Sequence, residues 1–153
     1  MIDYFKENSI FVKRISCGGE HTTFVSFEGC VYTCGEGNLG QLGNGKRQSE
    51  CIPVKLELAM QINEVSCGLN YTLLLASTGF IYSFGSNKQG QLGTGNRLAL
   101  LTPQKVDINI QFVKVVTLQS SCALTDEGKL YIWELEWRGY FITYTNIFRH
   151  KFY

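Results

Sequence analysis

Several groups of residues in this 153-residue chain have types and spacings that could do chemistry. Gly35-Glu36-Gly37-Asn38-Leu39-Gly40 spells Gly-x-Gly-x-x-Gly, the turn that cradles a dinucleotide pyrophosphate. That turn works only when a helix follows it, because the phosphates sit at the helix N-terminus. Here Gln41-Leu42-Gly43-Asn44-Gly45 follows, and its glycines break a helix. A related segment further on, Gly85-Ser86-Asn87-Lys88-Gln89-Gly90, has lost the middle glycine, so the match is accidental. Cys30, Cys34 and His21 suggest a zinc site. Strand residues four apart share a face but lie about 13 Å apart, too far to share a metal whose Zn–S bonds are about 2.3 Å. No metal is expected. Asn70-Tyr71-Thr72 is a glycosylation sequon, and with no secretory signal expected at Met1 to Phe11 it is expected to be unused. His21 could serve as a base, yet no serine or cysteine nucleophile is tied to it by spacing, and it reads as structural.

What positions these residues is a repeat. The chain reads Ser16-Cys17-Gly18, Gly29, Tyr32, Gly35, Gly40-Gln41-Leu42-Gly43, Gly45 and Pro53. It then reads Ser66-Cys67-Gly68, Gly79, Tyr82, Gly85, Gly90-Gln91-Leu92-Gly93, Gly95 and Pro103, each 50 residues later. Such a period marks solenoids and propellers, in which each unit buries its apolar face against its neighbour. Within a unit, short apolar strands at Val12 to Ser16 and Thr22 to Phe27 precede a glycine turn and the strand Val31-Tyr32-Thr33-Cys34. Alternation places Tyr32 with Cys34, and Tyr82 with Phe84, on one face. No segment shows a 3.6-residue period with helix caps. The fold class expected is all-β, with the glycines Gly35, Gly40, Gly43, Gly85, Gly90 and Gly93 in structural turns.

The expected division is a lead-in at 1–11, repeats at 12–61 and 62–111, a partial degenerate repeat at 112–136, and a divergent tail at 137–153. In the third unit Gly128, Leu130, Tyr131 and Trp133 still match, now at a spacing of 49, while the Ser-Cys-Gly and Gly-Gln-Leu-Gly signals are gone. The tail sets Arg138, Arg149, His150 and Lys151 among aromatic residues. That mixture can suit nucleic acid or a membrane surface, but a non-repeat terminus that pairs as a strand or stays disordered is the preferred reading.

Composition narrows the classes further. A net charge of +1 from 14 basic and 13 acidic residues leaves no basic stripe for DNA phosphates, so no specific nucleic-acid binding is expected. No apolar run reaches the roughly 18 residues that span a bilayer, and Asp3, Lys6 and Glu7 interrupt any secretory h-region. The expectation is a soluble, intracellular chain, cytoplasmic or nuclear, with reduced thiols. Cys17, Cys34, Cys67 and Cys122 are expected to be buried, since their repeat partners are apolar residues or the same cysteine.

The order Cys-Gly, Gly-x-x-Tyr-x-Phe-Gly, Gly-Gln-Leu-Gly-x-Gly and Pro resembles the regulator of chromosome condensation repeat family, fully over residues 12–111 and in part over 112–133. Kelch repeats have a similar length, but their Gly-Gly pair occurs once here, at Gly18-Gly19, and its copy is Gly68-Leu69. The resemblance implies a seven-bladed propeller of four-stranded antiparallel blades. Seven such units need about 350 residues, so this chain is too short to close the ring and is expected to be a partial propeller, a fragment or truncated product. Its open sheet edge is expected to self-associate.

Family members range from nucleotide exchange on the GTPase Ran to partner binding in HECT-type ubiquitin ligases. The expectation here is a non-catalytic protein-interaction module, not an enzyme and without a cofactor, whose partner is a protein, with a small GTPase as one candidate. The alternatives are a guanine-nucleotide exchange factor for a Ran-like GTPase and the substrate-binding part of a HECT-type ligase. Binding residues concentrate on loops held by a rigid scaffold. The loop after the third strand differs between the copies, which nominates Glu36, Asn38, Asn87, Lys88 and Gln89.

Overall fold

The structure, a computed structural model, describes residues 2–117, 120–133 and 142–144. A short helix, α1 (Ile2–Glu7), precedes three antiparallel four-stranded sheets. The first sheet runs in order β1 (Val12–Cys17), β2 (His21–Ser26), β3 (Val31–Gly35) and β4 (Glu50–Lys55). The second runs β5 (Ile62–Cys67), β6 (Tyr71–Ala76), β7 (Ile81–Gly85) and β8 (Leu100–Lys105). The third is built from β9 (Lys114–Thr117), β10 (Ser121–Leu124), β11 (Leu130–Trp133) and β12 (Ile142–Tyr144). Even the bulges repeat at 50 residues: the register shifts between Val12 and Arg14 and again between Ile62 and Glu64. The expected all-β partial propeller is therefore present as three blades.

The third unit forms a complete sheet although its motif is eroded. Its fourth strand, β12, falls inside the segment 137–153 expected to be a divergent tail, and pairs Ile132 with Ile142 and Leu130 with Tyr144. Backbone pairing needs unsatisfied N–H and C=O groups on the β11 edge rather than a particular side-chain motif. The tail's other aromatic and basic residues lie outside the described residues.

Alternation along the strands gives each blade a front face toward the preceding blade and a rear face toward the following one. Val25 and Val31 on the rear of blade 1 join Leu74 and Phe84 on the front of blade 2 in one buried cluster. Leu73, Leu75 and Ile81 on the rear of blade 2 join Ala123 and Trp133 on the front of blade 3 in another. First strands also touch. The Cys67 N–H donates to Ser16 Oγ at 2.9 Å, and the Thr117 N–H donates to Ser66 Oγ at 2.9 Å, the same bond one blade further on.

On the front of blade 1 the place of a preceding blade is partly taken by α1, a helix that the repeat pattern does not announce. Phe5 packs on Phe24 with ring centroids 4.7 Å apart and meets Tyr32 edge-on at 5.7 Å, while Tyr4 meets Tyr32 at 6.4 Å. The helix stops in a Schellman turn: Ser9 has φ 53, Ile10 N–H donates to the Phe5 carbonyl, and Ser9 N–H donates to that of Lys6. That turn folds Ile10 against the same aromatic cluster.

The coverage is incomplete, and this corrects one expectation about the cysteines. Cys34 and Cys67 are buried, but Cys17 is exposed and Cys122 only half-buried. Cys67 is enclosed because its Sγ lies 3.4 Å from both the Ser16 carbonyl and Thr23 Oγ1, atoms of the preceding blade. Cys17 occupies the same repeat position on a blade whose front, among the described residues, is packed by α1, which leaves Cys17 and Ile15 exposed. Cys122 sits on the rear of blade 3.

Candidate functional site

The β3–β4 and β7–β8 loops stand side by side at one end of the blades, and each does two jobs. The Gly-Gln-Leu-Gly segment clasps the next blade. Leu42 and Leu92 are fully buried, and their carbonyls accept from Thr33 Oγ1 at 2.8 Å and Ser83 Oγ at 2.9 Å. The Gln41 carbonyl accepts from Thr72 Oγ1 at 3.1 Å. The Gln91 carbonyl accepts from Ser121 Oγ and from Trp133 Nε1, both at 2.8 Å. The glutamine side chains close their own loops: Gln41 Oε1 accepts from the Leu39 N–H at 2.9 Å, and Gln91 Oε1 from the Gln89 N–H at 3.0 Å. The six structural glycines of these turns all have positive φ, from 67 at Gly43 to 109 at Gly85.

The remainder of each loop faces solvent. Asn38, Lys46, Arg47, Gln48 and Ser49 are exposed in the first loop, and Lys88, Gln89, Asn96, Arg97 and Leu98 in the second. Glu36 is half-buried and its carboxylate holds the first loop in shape, accepting from Asn38 Nδ2 and, at 2.9 Å, from Ser49 Oγ. Of the nominated residues, Asn38, Lys88 and Gln89 therefore present side chains to solvent and Glu36 does so in part. Asn87 does not. It is fully buried, its Oδ1 accepts from the Leu92 N–H at 3.0 Å, and its Nδ2 donates to the Asn96 carbonyl at 2.9 Å. Asn87 replaces Gly37, so the variation that nominated it puts a bracing side chain into a loop interior where the first copy has a close-packed glycine. Sequence reasoning passed over Arg47, Arg97 and Leu98; extending the copy-to-copy comparison past Gly45 and Gly95 exposes the Gln48 to Leu98 change.

Several groups that could do acid–base or thiol chemistry, His21, Tyr71 and Cys67, are used inside the blade interfaces, while Cys17 and Cys51 are exposed. His21 is buried, with Nε2 2.9 Å from Thr72 Oγ1. Because Thr72 gives its own proton to the Gln41 carbonyl, His21 is the donor at Nε2, and its Nδ1 is left without a hydrogen-bond partner. Burial lowers its pKa to about 4, so it is neutral at pH 7. In the next blade Tyr71 takes this place, 3.0 Å from Ser121 Oγ, with burial raising its pKa to about 12. Burial likewise raises the thiol pKa of Cys34 and of Cys67. His21 is thus one rung of an interface that recurs with tyrosine. Among the described residues no group of three or more His, Cys, Asp or Glu side chains is placed to hold a metal ion. At the opposite end, an open cleft of about 450 Å³ between Phe80, Ile110, Asp126, Lys129 and Tyr131 contains none of the nominated residues. None of the helices among the described residues is long and apolar enough to cross a membrane.

The model of the regulator of chromosome condensation (RCC1) repeat matches residues 28–75 and 78–123, and a second model of the same repeat matches 12–41. The chain belongs to the RCC1 repeat family. Among curated relatives, the RCC1-repeat chain is 37% identical over 57 residues to the inhibitor of Bruton tyrosine kinase of Mus musculus, covering 37% of this chain and 4% of that protein. It is 44% identical over 46 residues to the ultraviolet-B receptor UVR8 of Arabidopsis thaliana, 30% of this chain and 10% of that one. Among solved structures, human WBSCR16 superposes with a TM-score of 0.76 at 22% identity over 80% of this chain and 33% of that one. Yeast RCC1 (Prp20), solved bound to Kap60, gives 0.72 at 22% identity over 80% and 32%. The RCC1-repeat chain thus spans about a third of these structures and a tenth or less of the curated relatives it matches.

Proposed function

We propose that this chain is a non-catalytic protein–protein interaction module that binds its partner through the exposed residues of the β3–β4 and β7–β8 loops. One observation carries the reading. The two complete copies agree at the buried clasp, Gln41 and Gln91 or Leu42 and Leu92, and differ at exposed positions around a shared Arg47 and Arg97, with Asn38 against Lys88, Lys46 against Asn96, and Gln48 against Leu98. A rigid clasp with a variable outer surface is the arrangement by which repeat scaffolds bind partners. The solved yeast relative is described by its binding to Gsp1p and histones, which supports a protein as the partner class. A Ran-type GTPase is one candidate from the family resemblance, bound without catalysed exchange. The six cysteines, none of them in a disulfide, fit a reducing compartment, cytoplasm or nucleus.

The test compares the wild-type chain with the variant Arg47→Glu, Lys88→Glu, Arg97→Glu, Leu98→Asp, whose sites are all exposed. Surface changes of this kind shift stability by only about 0.5 kcal/mol each, so the fold should persist while partner capture from cell extract is lost. Equal capture by the folded variant refutes the loop assignment. Release of labelled GDP from a Ran-type GTPase should be no faster with the chain than without it; clear acceleration would establish the exchange-factor alternative instead.

A further inference from the structure

We propose that Ser49 accepts a phosphoryl group from a basophilic serine kinase, and that the phosphate opens the brace of the β3–β4 loop and draws its cations away from a partner. The effect on binding rests on the loop assignment; the acceptor site and the opening of the brace do not.

The two loops are braced differently. In the β7–β8 loop the brace is Asn87, a buried side chain bonded to the Leu92 N–H and the Asn96 carbonyl. In the β3–β4 loop Gly37 stands at that position, and the brace lies on the surface instead. Ser49 Oγ donates to Glu36 Oε2 at 2.9 Å, and Asn38 Nδ2 donates to Glu36 Oε1. The Arg47 guanidinium completes the network by donating to the Asn38 carbonyl at 3.1 Å. The second copy has Ser86 for Glu36 and Ala99 for Ser49, so it lacks the carboxylate and the hydroxyl together. A buried brace is beyond the reach of an enzyme; a surface hydroxyl is not.

The sequence leading to that hydroxyl is Lys46-Arg47-Gln48-Ser49. Cations two and three residues before a serine form the charge pattern that a kinase with an acidic substrate groove reads. All four residues are exposed and lie in irregular chain just before β4. Such a stretch can extend into a kinase groove without opening a sheet. Lys13-Arg14-Ile15-Ser16 has the same pattern. There the serine lies within β1, is paired with Thr23 and accepts the Cys67 N–H at 2.9 Å in the blade interface. The fold thus presents the motif at Ser49 and withholds the one at Ser16.

In the transfer, Ser49 Oγ forms a bond to the γ-phosphorus of ATP, the bond from that phosphorus to the ADP oxygen breaks, and the hydroxyl proton passes to the kinase's catalytic base. The product inverts the local bonding. A donor that held Glu36 becomes an acceptor with a charge of about −1.5 to −2, set against a carboxylate that already holds Asn38. Like charges push Glu36 and residue 49 apart. Arg47 and Lys46, two and three residues away, are the cations placed to pair with the phosphate. Arg47 then leaves the Asn38 carbonyl, and both cations neutralise the phosphate instead of facing a partner.

The experiment treats the folded full chain with ATP and the catalytic subunit of cyclic-AMP-dependent protein kinase, a basophilic enzyme, and maps phosphate by mass spectrometry. Phosphate is expected at Ser49, absent from Ser49→Ala and taken up about tenfold more slowly by Arg47→Gln, the worth of one charge-assisted contact. A peptide of residues 10–19 should accept phosphate at Ser16 where the folded chain does not. Hydrogen exchange over residues 36–49 should quicken on phosphorylation, and much less so in Glu36→Gln, which has no charge to repel. No phosphate at Ser49, or phosphate at Ser16 of the folded chain, overturns the proposal. So does exchange that phosphorylation leaves unchanged, or changes equally in Glu36→Gln. Partner capture from cell extract should fall about tenfold on phosphorylation, since two cations are lost to the partner. Capture that survives phosphorylation but is lost in the fourfold loop variant overturns the effect on binding and leaves the loop assignment standing. Capture that survives both overturns the loop assignment, while the site and its brace stand on the phosphate map and the exchange.

Discussion

Replacing Gly43 by alanine isolates the energy of a single blade clasp. Gly43 has φ +67, and an added Cβ would lie 2.7 Å from the Phe84 ring, which is fully buried in the cluster between blades 1 and 2. Two costs combine. Holding alanine in the left-handed region costs about 1–2 kcal/mol, and pushing a methyl group against a packed ring costs about 1–3 kcal/mol. The expected loss is about 2–5 kcal/mol. Gly90 separates the two terms, because its φ is +81 but no atom lies within 4 Å of the added Cβ. Gly90→Ala should therefore cost only the backbone part, about 1–2 kcal/mol. Urea denaturation of the two variants gives the difference directly, and Gly43→Ala in a Phe84→Leu background should recover about 1 kcal/mol or more as coupling. Equal losses at Gly43 and Gly90, or no coupling to Phe84, would show that the clasp is not limited by this contact.

His21 should make stability fall on mild acidification. Its folded pKa of about 4 lies below the unfolded 6.5, so the unfolded chain takes up the proton first; the stability is complete above pH 6.5 and is lost as pH falls toward 4, by up to about 3 kcal/mol. His21→Tyr, which copies Tyr71, should flatten that slope in urea titrations at pH 7 and pH 4.5. Thr72→Val should cost about 1–3 kcal/mol by leaving the Gln41 carbonyl and His21 Nε2 unpaired. The same change at Thr22, its counterpart on blade 1, makes no inter-blade bond and should cost under about 0.5 kcal/mol in the same assay. Under native conditions a thiol reagent should label Cys17 and Cys51 rapidly and Cys34 and Cys67 slowly, and uniform rates for the four would contradict the burial pattern.

Much of this architecture is legible in the sequence because a propeller blade is specified by local rules. Gly29, Gly35 and Gly43 mark turns that require positive φ, and Tyr32 with Cys34 marks a face, so strand order and facing follow from spacing alone. Burial across blades is less legible, because it depends on which neighbour is present. Cys17 and Cys67 are the same residue in the same motif, yet among the described residues only Cys67 is covered by a preceding blade. The helix α1 escapes notice because six residues cannot display a period and its cap is a serine at φ 53 rather than a glycine. Asn87 misleads for a different reason. A substitution between copies signals adaptation to a partner and repair of a loop interior equally well, and only the hydrogen bonds to Leu92 and Asn96 distinguish the two. Sequence leaves open whether the tail pairs as a strand or stays disordered, and it does not mark Ile142 to Tyr144 as the strand that completes the third blade, since edge pairing is satisfied by backbone alone.

The hydroxyl bonds between blades also set how such a chain can fold. The bond from Ser121 to the Gln91 carbonyl joins residues 30 apart, and the bond from Cys67 to Ser16 joins residues 51 apart. Each blade is thus secured by partners within about one repeat of itself, however many blades the polypeptide contains. Loop-closure entropy grows only with the logarithm of the spanned length, so adding a blade lengthens the chain without raising the entropic barrier of any single docking step. Folding can then proceed as synthesis does, each new sheet settling on a finished template before the next emerges.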